Sequence, residues 1–361
     1  MEKLRACVVG VGKIGAAHIE AIGRLDCAEL AAVVVRDDAR ARELRGLWGA
    51  ARRYADHRSM LAAGGIDVVH DCTPNAEHFE IGRDCILAGR HVLSEKPLAV
   101  DSRDSGELAG LLAPHNVMGA VNFVYRHYSI LGRLRGMIGR GELGEIRAVR
   151  GAYLQDWLLR DTDFDWRVEA ARGGPSRAMA DIGSHWCDLA CFLIGQDIAE
   201  VCADVATFIP ERIRPLPGAG HAGKPAAPPV ARKVTVDTED YASVLLRFSG
   251  GARGSFTVSQ TSAGRKTDLS IEIDGSEASA RWERLHAEKL WIGRRDEPAQ
   301  ELSLPAPETQ RDAQRNMIES FYRSILYGEA PRYADFAQGH RMVKIVEAVM
   351  ESGRSRSWRP V

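Results

Sequence analysis

Three short stretches of this 361-residue chain carry the residue types that hydride chemistry on an alcohol requires. Lys96 stands between Glu95 and Pro97, and Thr73-Pro74-Asn75 with His78 follows an apolar run that ends at Cys72. Asp181 and His185 stand four residues apart in Asp181-Ile182-Gly183-Ser184-His185. Oxidising an alcohol removes a proton from oxygen as hydride leaves carbon. A neutral imidazole is the usual acceptor of such a proton, and His185 is the candidate. An ammonium at hydrogen-bond distance, here Lys96, stabilises the developing alkoxide and can relay its proton. A carboxylate such as Asp181 orients the imidazole or holds a neighbouring substrate hydroxyl. Positions four apart on a helix share a face, so Asp181 and His185 are expected to point the same way. The plainer alternatives are a surface lysine, a satisfied helix histidine and a capping carboxylate. The capping role is compatible with a substrate contact.

The hydride needs a partner, and Gly10-Val11-Gly12-Lys13-Ile14-Gly15 offers a place for one. It follows a predicted strand, Arg5–Val9, and opens a predicted helix, Ile14–Leu25. In that setting Gly10 allows the tight turn, Gly12 lets backbone approach a pyrophosphate, and Gly15 lets helix and strand pack closely. Lys13 and Ile14 lie in the same loop, and the helix N-terminus adds free N–H groups. The cofactor is therefore NAD or NADP. An NAD enzyme places Asp or Glu at the end of the second strand, where this chain has Val35-Arg36-Asp37. Arg36 can pair with a 2′-phosphate and Val35 does not repel one, so the reading leans to NADP; in the alternative Asp37 takes the ribose. Thr73, Pro74, Asn75, His78, Glu95 and Lys96, at two further strand ends, complete the expected cofactor edge. Asn75 could equally be an Asx-turn residue, and His18 could pack beneath the loop as a structural group. The Lys96–Pro97 bond is a candidate for cis.

The elements that must position these residues fall into two textures. Up to about residue 120, apolar runs without polar alternation (Arg5–Val9, Leu30–Val35, Val68–Cys72, Val92–Ser94, Met118–Val121) alternate with helical stretches. Those stretches are Ile14–Leu25, Ala39–Trp48, Ala76–Ala88 and Ser102–Ala113. Strands of that kind are buried on both faces of a parallel sheet, which predicts a doubly wound Rossmann domain over 1–122. From Ala148 the pattern alternates partially with period two (Ala148–Leu154, Tyr241–Phe248, Ala252–Gln260, Leu269–Ile273), with turn pairs Gly250-Gly251 and Asp274-Gly275. That predicts an open, mostly antiparallel β-sheet domain flanked by helices over 123–361. A helix opens near Met179, and a helical tail (Gln310–Tyr327, Phe336–Ser352) is available to pack back on the first domain. Residues Pro215–Arg232, rich in Pro, Gly and Ala, read as a surface loop. A net charge of −1 leaves no footprint for nucleic acid, and no run of apolar residues spans a bilayer. Seven cysteines without a CxxC pair suit a reduced, cytoplasmic protein. Cys187 and Cys191 near His185 lack the partners a zinc site needs, so no metal is expected.

The stretches GVGKIGAAH (Gly10–His18), TPNAEH (Thr73–His78), EKP (Glu95–Pro97), FVYRH (Phe123–His127), GELG (Gly141–Gly144) and DIGSHWCD (Asp181–Asp188) together resemble the Gfo/Idh/MocA family of glucose–fructose oxidoreductases and inositol dehydrogenases. The resemblance covers the whole chain. It implies an NAD(P)-dependent dehydrogenase acting on a sugar or cyclic polyol. Lys96 would be the catalytic lysine, Asp181 and His185 the substrate-contacting pair, and the second sheet the face of a homodimer or homotetramer. Tyr153–Trp157, Asp165–Arg167 and Gly173–His185 resemble a narrower branch, the levoglucosan dehydrogenase-like enzymes that oxidise C3 of pyranosides. Asn122, Tyr125, Arg126, Gln155, Trp157 and Arg167 are then expected around the sugar, where an aromatic face suits its C–H surface. The chain departs from that branch between Leu304 and Asn316, where PAPETQRDAQR is shorter than the loop the resemblance implies. Two other readings stay open: a dinucleotide-dependent sensor on the same scaffold, and a reductase acting on a non-sugar carbonyl.

Overall fold

Residues 3–215 and 232–361 are described by a computed structural model of the chain. The apolar runs of the first third pair as β1 (Leu4–Val9), β2 (Ala28–Val34), β3 (Arg52–Tyr54), β4 (Val68–Asp71), β5 (His91–Ser94) and β6 (Gly119–Val121). They are joined by α1 (Lys13–Gly23), α2 (Asp38–Leu44), α3 (His57–Ala63), α4 (His78–Leu87) and α5 (Ser102–Leu111). The strands are parallel in the order β6-β5-β4-β1-β2-β3. The order reverses between β1 and β4, and in such sheets a ligand crevice opens outside the carboxyl ends at that point. Residues of β1, β4 and β5 are wholly enclosed, as strands covered on both faces must be. The expected helix through Trp48 stops at Leu44, and Arg45–Leu47 continues as a single 3₁₀ turn across Gly46.

The remainder contributes α6 (Ser129–Gly139), β7 (Ile146–Leu154), α7 (Ala170–Gly173), α8 (Ser184–Ile194), β8 (Ile198–Ala206) and β9 (Glu211–Arg214). It continues with β10 (Arg232–Thr235), β11 (Tyr241–Phe248), β12 (Arg253–Ser259), β13 (Asp268–Gly275), β14 (Ser279–Glu283), β15 (Lys289–Gly293) and β16 (Gln300–Ser303). The chain ends with α9 (Gln310–Tyr327), β17 (Ala334–Asp335), α10 (Phe336–Ser355) and β18 (Arg359–Pro360). The second sheet runs β16-β15-β14-β13-β7-β12-β11-β8-β18. Every neighbouring pair is antiparallel except β7 and β12, which lie parallel. The meander expected from the turn pairs is thus split: β7 enters between β12 and β13, and the long crossover through α8 permits the parallel pairing. The predicted loop at 215–232 falls, apart from its two end residues, outside the described residues. Among the described residues, no helix is long and apolar enough to cross a membrane.

One face of the second sheet carries α8. Trp186 stacks on Phe256 with centroids 4.4 Å apart and donates its indole N–H to the Ser270 carbonyl at 3.0 Å. A side chain at Gly151 would stand 2.7 Å from that indole nitrogen, so β7 is bare where the tryptophan crosses it. The helical tail ties the two sheets together. Met317, Ile318, Phe321 and Tyr322 of α9 are buried with residues of β1 and α1, while α10 packs on α5 and β8.

Arg126 and Asp188 join the turn after β6 to α8. Arg126 Nε and Nη2 donate to the two Asp188 carboxylate oxygens at 2.7 and 2.5 Å, and both side chains are buried. Removing one partner of a buried ion pair leaves the other charge uncompensated. Asp188→Ala should therefore cost about 3–5 kcal/mol in denaturant-monitored unfolding, and a loss below about 1 kcal/mol would show that water reaches the Arg126 guanidinium.

Candidate active site

The crevice predicted by the strand order is a cleft of about 1520 Å³ that runs from the glycine loop to the second sheet. Gly10 has φ +87°, a region glycine alone favours, and a side chain there would lie 2.8 Å from the Cys72 carbonyl oxygen. A side chain on Gly15 would collide with the Gly10 carbonyl, so α1 packs this close to β1 only through glycine. Gly12 faces open space, and as N-cap of α1 it has no side chain to occupy the first-turn N–H groups. These features fit a dinucleotide pyrophosphate, with Lys13 and Ile14 on the cleft wall beside it.

Along the rest of that edge, Asp37 caps α2 by accepting from Arg40 N at 2.6 Å, and Arg36 is ion-paired to Glu77. Thr73 donates its amide (3.1 Å) and hydroxyl (2.6 Å) to Asp71 Oδ1, which shapes the turn after β4 with Pro74 on the wall. Asn75 donates to the Gly173 carbonyl at 2.8 Å, so the loop before α8 is pinned to the nucleotide side. His78, expected at the cofactor edge, is instead buried behind it. Its ring nitrogens face the Pro97 and Thr73 carbonyls at 2.8 and 3.0 Å, which braces the two turns against each other.

Lys96 follows β5, and the Lys96–Pro97 bond is cis. Its Nζ donates to Asp181 Oδ1 and to the Asp181 carbonyl, both at 2.7 Å, across the gap between the sheets. Asp181 Oδ2 accepts from Gln260 Nε2 at 2.8 Å, and Arg167 Nε lies 3.6 Å from Oδ1. Burial would raise this carboxyl, but the Lys96 and Arg167 cations outweigh it and hold Asp181 well below the usual carboxylate range. At Glu95, burial is likewise outweighed by the His18 and Asn122 hydrogen bonds and the Lys96 charge, which hold the carboxyl down at about 2.

His185 opens α8, whereas Asp181 lies in the π-helical turn Met179–Gly183 that precedes it. Both residues still line the cleft, but with the π turn between them the Asp181 carboxylate engages Lys96 and Gln260, not the imidazole. His185 is boxed by Tyr125, Phe123 and Tyr153, with ring centroids at 5.1, 5.5 and 6.5 Å. Burial first, then the Lys96 charge, lowers its pKa from 6.5 to about 3, so the ring on the cleft wall is neutral near pH 7.

Of the remaining expected sugar contacts, Asn122, Gln155, Trp157 and Arg167 line the cleft. Trp157 Nε1 donates to Gln155 Oε1 at 2.6 Å, and Arg167 bonds Asp165 at 3.1 Å while lying over the Trp166 ring. Tyr125 stands behind His185 with its hydroxyl 2.7 Å from that of Tyr153, and Tyr153 is the one that reaches the cleft. Arg126 is removed from the cleft altogether by its pairing with Asp188. The short 304–316 segment does not leave a gap. Thr309 and Asp312 form a capping box that starts α9, and Thr309, Gln310, Arg311 and Gln314 form one wall.

Residues 4–123 match the family model for an oxidoreductase family with an NAD-binding Rossmann fold, and residues 132–281 match that of the GFO/IDH/MocA C-terminal domain. The chain belongs to the Gfo/Idh/MocA oxidoreductase family. It is 29% identical to levoglucosan dehydrogenase of Pseudarthrobacter phenanthrenivorans over 86% of this chain and 85% of that one. It is 28% identical to myo-inositol 2-dehydrogenase of Thermotoga maritima over 76% and 73%. A solved levoglucosan dehydrogenase in complex with NADH and levoglucosan superposes with TM-score 0.90 at 26% identity, with full coverage of both chains.

In this Gfo/Idh/MocA oxidoreductase, Gln260 and Gln314 are site residues that motif reading misses. Both carry a signal nonetheless. Gln260 continues the inward series Phe256, Val258 one step beyond β12, and Gln314 sits on the α9 stripe of Met317 and Phe321. A polar residue at an apolar-face position needs a buried partner, and these two find Asp181 and Asn122.

The depressed pKa of His185 has a sign that can be measured. An unfolded histidine takes its proton near 6.5, whereas the native one resists until about 3. Between those limits the unfolded state binds more protons, so this residue makes stability fall as pH falls. The His185 ring resonances should stay those of a neutral imidazole from pH 8 down to about 5; a midpoint near 6.5 would show that burial does not control the ring.

Proposed function

We propose that this protein is an NAD-dependent dehydrogenase that oxidises a secondary hydroxyl of a sugar, glycoside or cyclic polyol, with C3 of a pyranoside the first position to test. The observation that carries this is the pairing of Lys96 with Asp181 beside a neutral His185, at the far end of a cleft that begins at the glycine loop. A bound nicotinamide would accept the hydride. The protein's own groups handle the proton. Two Lys96 N–H groups are held by Asp181, and the third has no partner among the described residues, so it is free to hold the substrate oxygen. The neutral His185 imidazole takes the hydroxyl proton as negative charge develops, and the Lys96 ammonium stabilises that charge.

Trp157, Gln155 and Arg167 supply the aromatic face and polar groups that a polyol ring requires. The relatives named levoglucosan dehydrogenase, myo-inositol 2-dehydrogenase and D-glucoside 3-dehydrogenase favour this substrate class. The lean to NADP finds no support in the surroundings of Arg36. Its guanidinium is already paired with Glu77, and the Asp37 carboxylate stands beside it on the cleft wall. A 2′-phosphate set at the end of β2 would meet these two carboxylates, so the reading is NAD.

The test is reduced-nicotinamide absorbance with each cofactor against glucose, inositols, levoglucosan and aryl glucosides, run in both directions. Lys96→Ala and His185→Ala should each lower turnover by about 10²–10⁴ while leaving the dinucleotide Kd within about threefold. Turnover at the wild-type level in either variant removes that residue from the proton path, and no reaction in either direction overturns the dehydrogenase reading. Glu77→Gln should raise the affinity for NADP by several-fold with little change for NAD, because it frees Arg36. An unchanged preference would place the 2′-position elsewhere.

A further inference from the structure

Behind the nucleotide loop runs a buried hydrogen-bonded chain that the proton chemistry above does not use. The Tyr322 hydroxyl of α9 lies 2.9 Å from His70 Nε2 on β4, and His70 Nδ1 lies 2.8 Å from His18 Nδ1 on α1. His18 Nε2 lies 3.1 Å from Glu95 Oε1, the residue before Lys96. Tyr322, His70 and His18 have no solvent exposure, and Glu95 faces the cleft. Asn122 adds a second donor to Glu95 Oε1 at 2.5 Å and is itself held by Gln314 of α9 at 2.9 Å.

With both imidazoles neutral, two arrangements of protons satisfy the chain. In the first, the Tyr322 hydroxyl donates to His70, His70 Nδ1–H donates to His18, and His18 Nε2–H donates to a Glu95 carboxylate. In the second every donor is reversed, and Glu95 must be protonated to donate to His18. The first agrees with the neighbours. Burial keeps Tyr322 a phenol, a donor, and His70 is held neutral by burial and by His18. The Asn122 amide and the Lys96 charge both favour the carboxylate. The chain ends at a buried phenol, so it conducts no proton to solvent. What it does is fix which nitrogen of His18 carries the proton and aim that proton at Glu95.

A charge held there acts on whatever part of the dinucleotide lies at the Lys96 end of the cleft. On the reading above that part is the nicotinamide, which is cationic when oxidised and neutral when reduced. We propose that the Tyr322–His70–His18 chain keeps Glu95 a carboxylate beside the nicotinamide position, and that this charge favours binding of the oxidised over the reduced dinucleotide. Glu95, His18, His70 and Tyr322 are positioning residues in this scheme, since none reacts. The preference would favour loading of the oxidised cofactor and release of the reduced one, while lowering the tendency of the bound nicotinamide to accept a hydride.

The experiment measures the Kd of NAD⁺ and of NADH separately, by calorimetry or quenching of tryptophan fluorescence, on the full chain without substrate. Glu95→Gln keeps the side-chain shape and should weaken NAD⁺ by about tenfold while changing NADH by less than about twofold. Tyr322→Phe, remote from the cleft, should shift the NAD⁺/NADH ratio in the same direction by about two- to threefold. Equal weakening of both forms in Glu95→Gln would make Glu95 a merely structural residue and overturn the proposal. A ratio unmoved in Tyr322→Phe would remove the buried chain from it, and this variant decides alone if Glu95→Gln does not fold. Sugar turnover plays no part in the assay, so its failure and that of the substrate reading are separate results. If neither dinucleotide binds the wild-type protein, the cofactor reading itself falls.

Discussion

A lysine ammonium can be drawn out of water only if an anion goes with it, since an unpaired buried charge costs several kcal/mol. The Lys96–Asp181 bond meets that constraint across the gap between the sheets, and most of the site is arranged around it. Lys96 comes from the end of β5, whereas Asp181 comes from a π-helical turn that α8 fixes against β7 and β12. For the two to meet at 2.7 Å, the second sheet must stand where its buried face addresses the carboxyl edge of the first. Gln260 fills the second Asp181 oxygen and Arg167 approaches from the loop before α8, so the carboxylate stays ionised and oriented. The loop is held in turn by Asn75 on the nucleotide side. A motif that looks like a cofactor contact thus also holds the loop that carries Arg167.

The sequence made some of this legible for a plain reason: local chemistry leaves a local mark. A glycine that must adopt positive φ, as Gly10 does, can hardly be another residue, and an apolar run covered on both faces cannot alternate. Hence the glycine loop and the parallel sheet were readable, as was the change of texture after Ala148. Long-range partners leave no such mark. Arg126 lies next to cleft residues in sequence, yet its place was decided by Asp188, 62 residues away. His78 lies within the turn motif but faces inward to the Pro97 carbonyl. The spacing of Asp181 and His185 was read on an α-helical wheel, and the π turn between them is not visible in residue types. Gln260 and Gln314 show the opposite error, because a polar residue on an apolar stripe was a signal left unused.

The tail shows how a departure from a family pattern can still close the cleft. Between Leu304 and Asn316 the chain lacks the longer loop expected of its branch, but Thr309 and Asp312 convert the short segment directly into the start of α9. Its first turn then presents Thr309, Gln310 and Arg311 to the cleft, and its next turn presents Gln314 to Asn122. Because the same helix buries Met317, Ile318 and Phe321 against the nucleotide-binding half, the cleft wall and the packing of that half cannot be varied independently.

The polarity of buried hydrogen bonds decides what the neighbouring groups are able to do. His185 sits among aromatic rings with Nδ1 buried and without a partner among the described residues, an arrangement that leaves the imidazole neutral and its cleft side uncommitted. His18 has the contrary surroundings, with both nitrogens engaged and one of them facing a carboxylate. The same residue type is therefore left with a free edge toward the cleft in one place and hydrogen-bonded at both nitrogens in the other. Both environments follow from what surrounds each ring: aromatic side chains around His185, whose two tyrosine hydroxyls are bonded to each other, and a ladder of polar groups from β4, the turn after β5 and α9 around His18. Neither ring's assignment depends on its own position in a motif. Around His185 the lysine and the carboxylate are occupied with each other, so neither claims the imidazole.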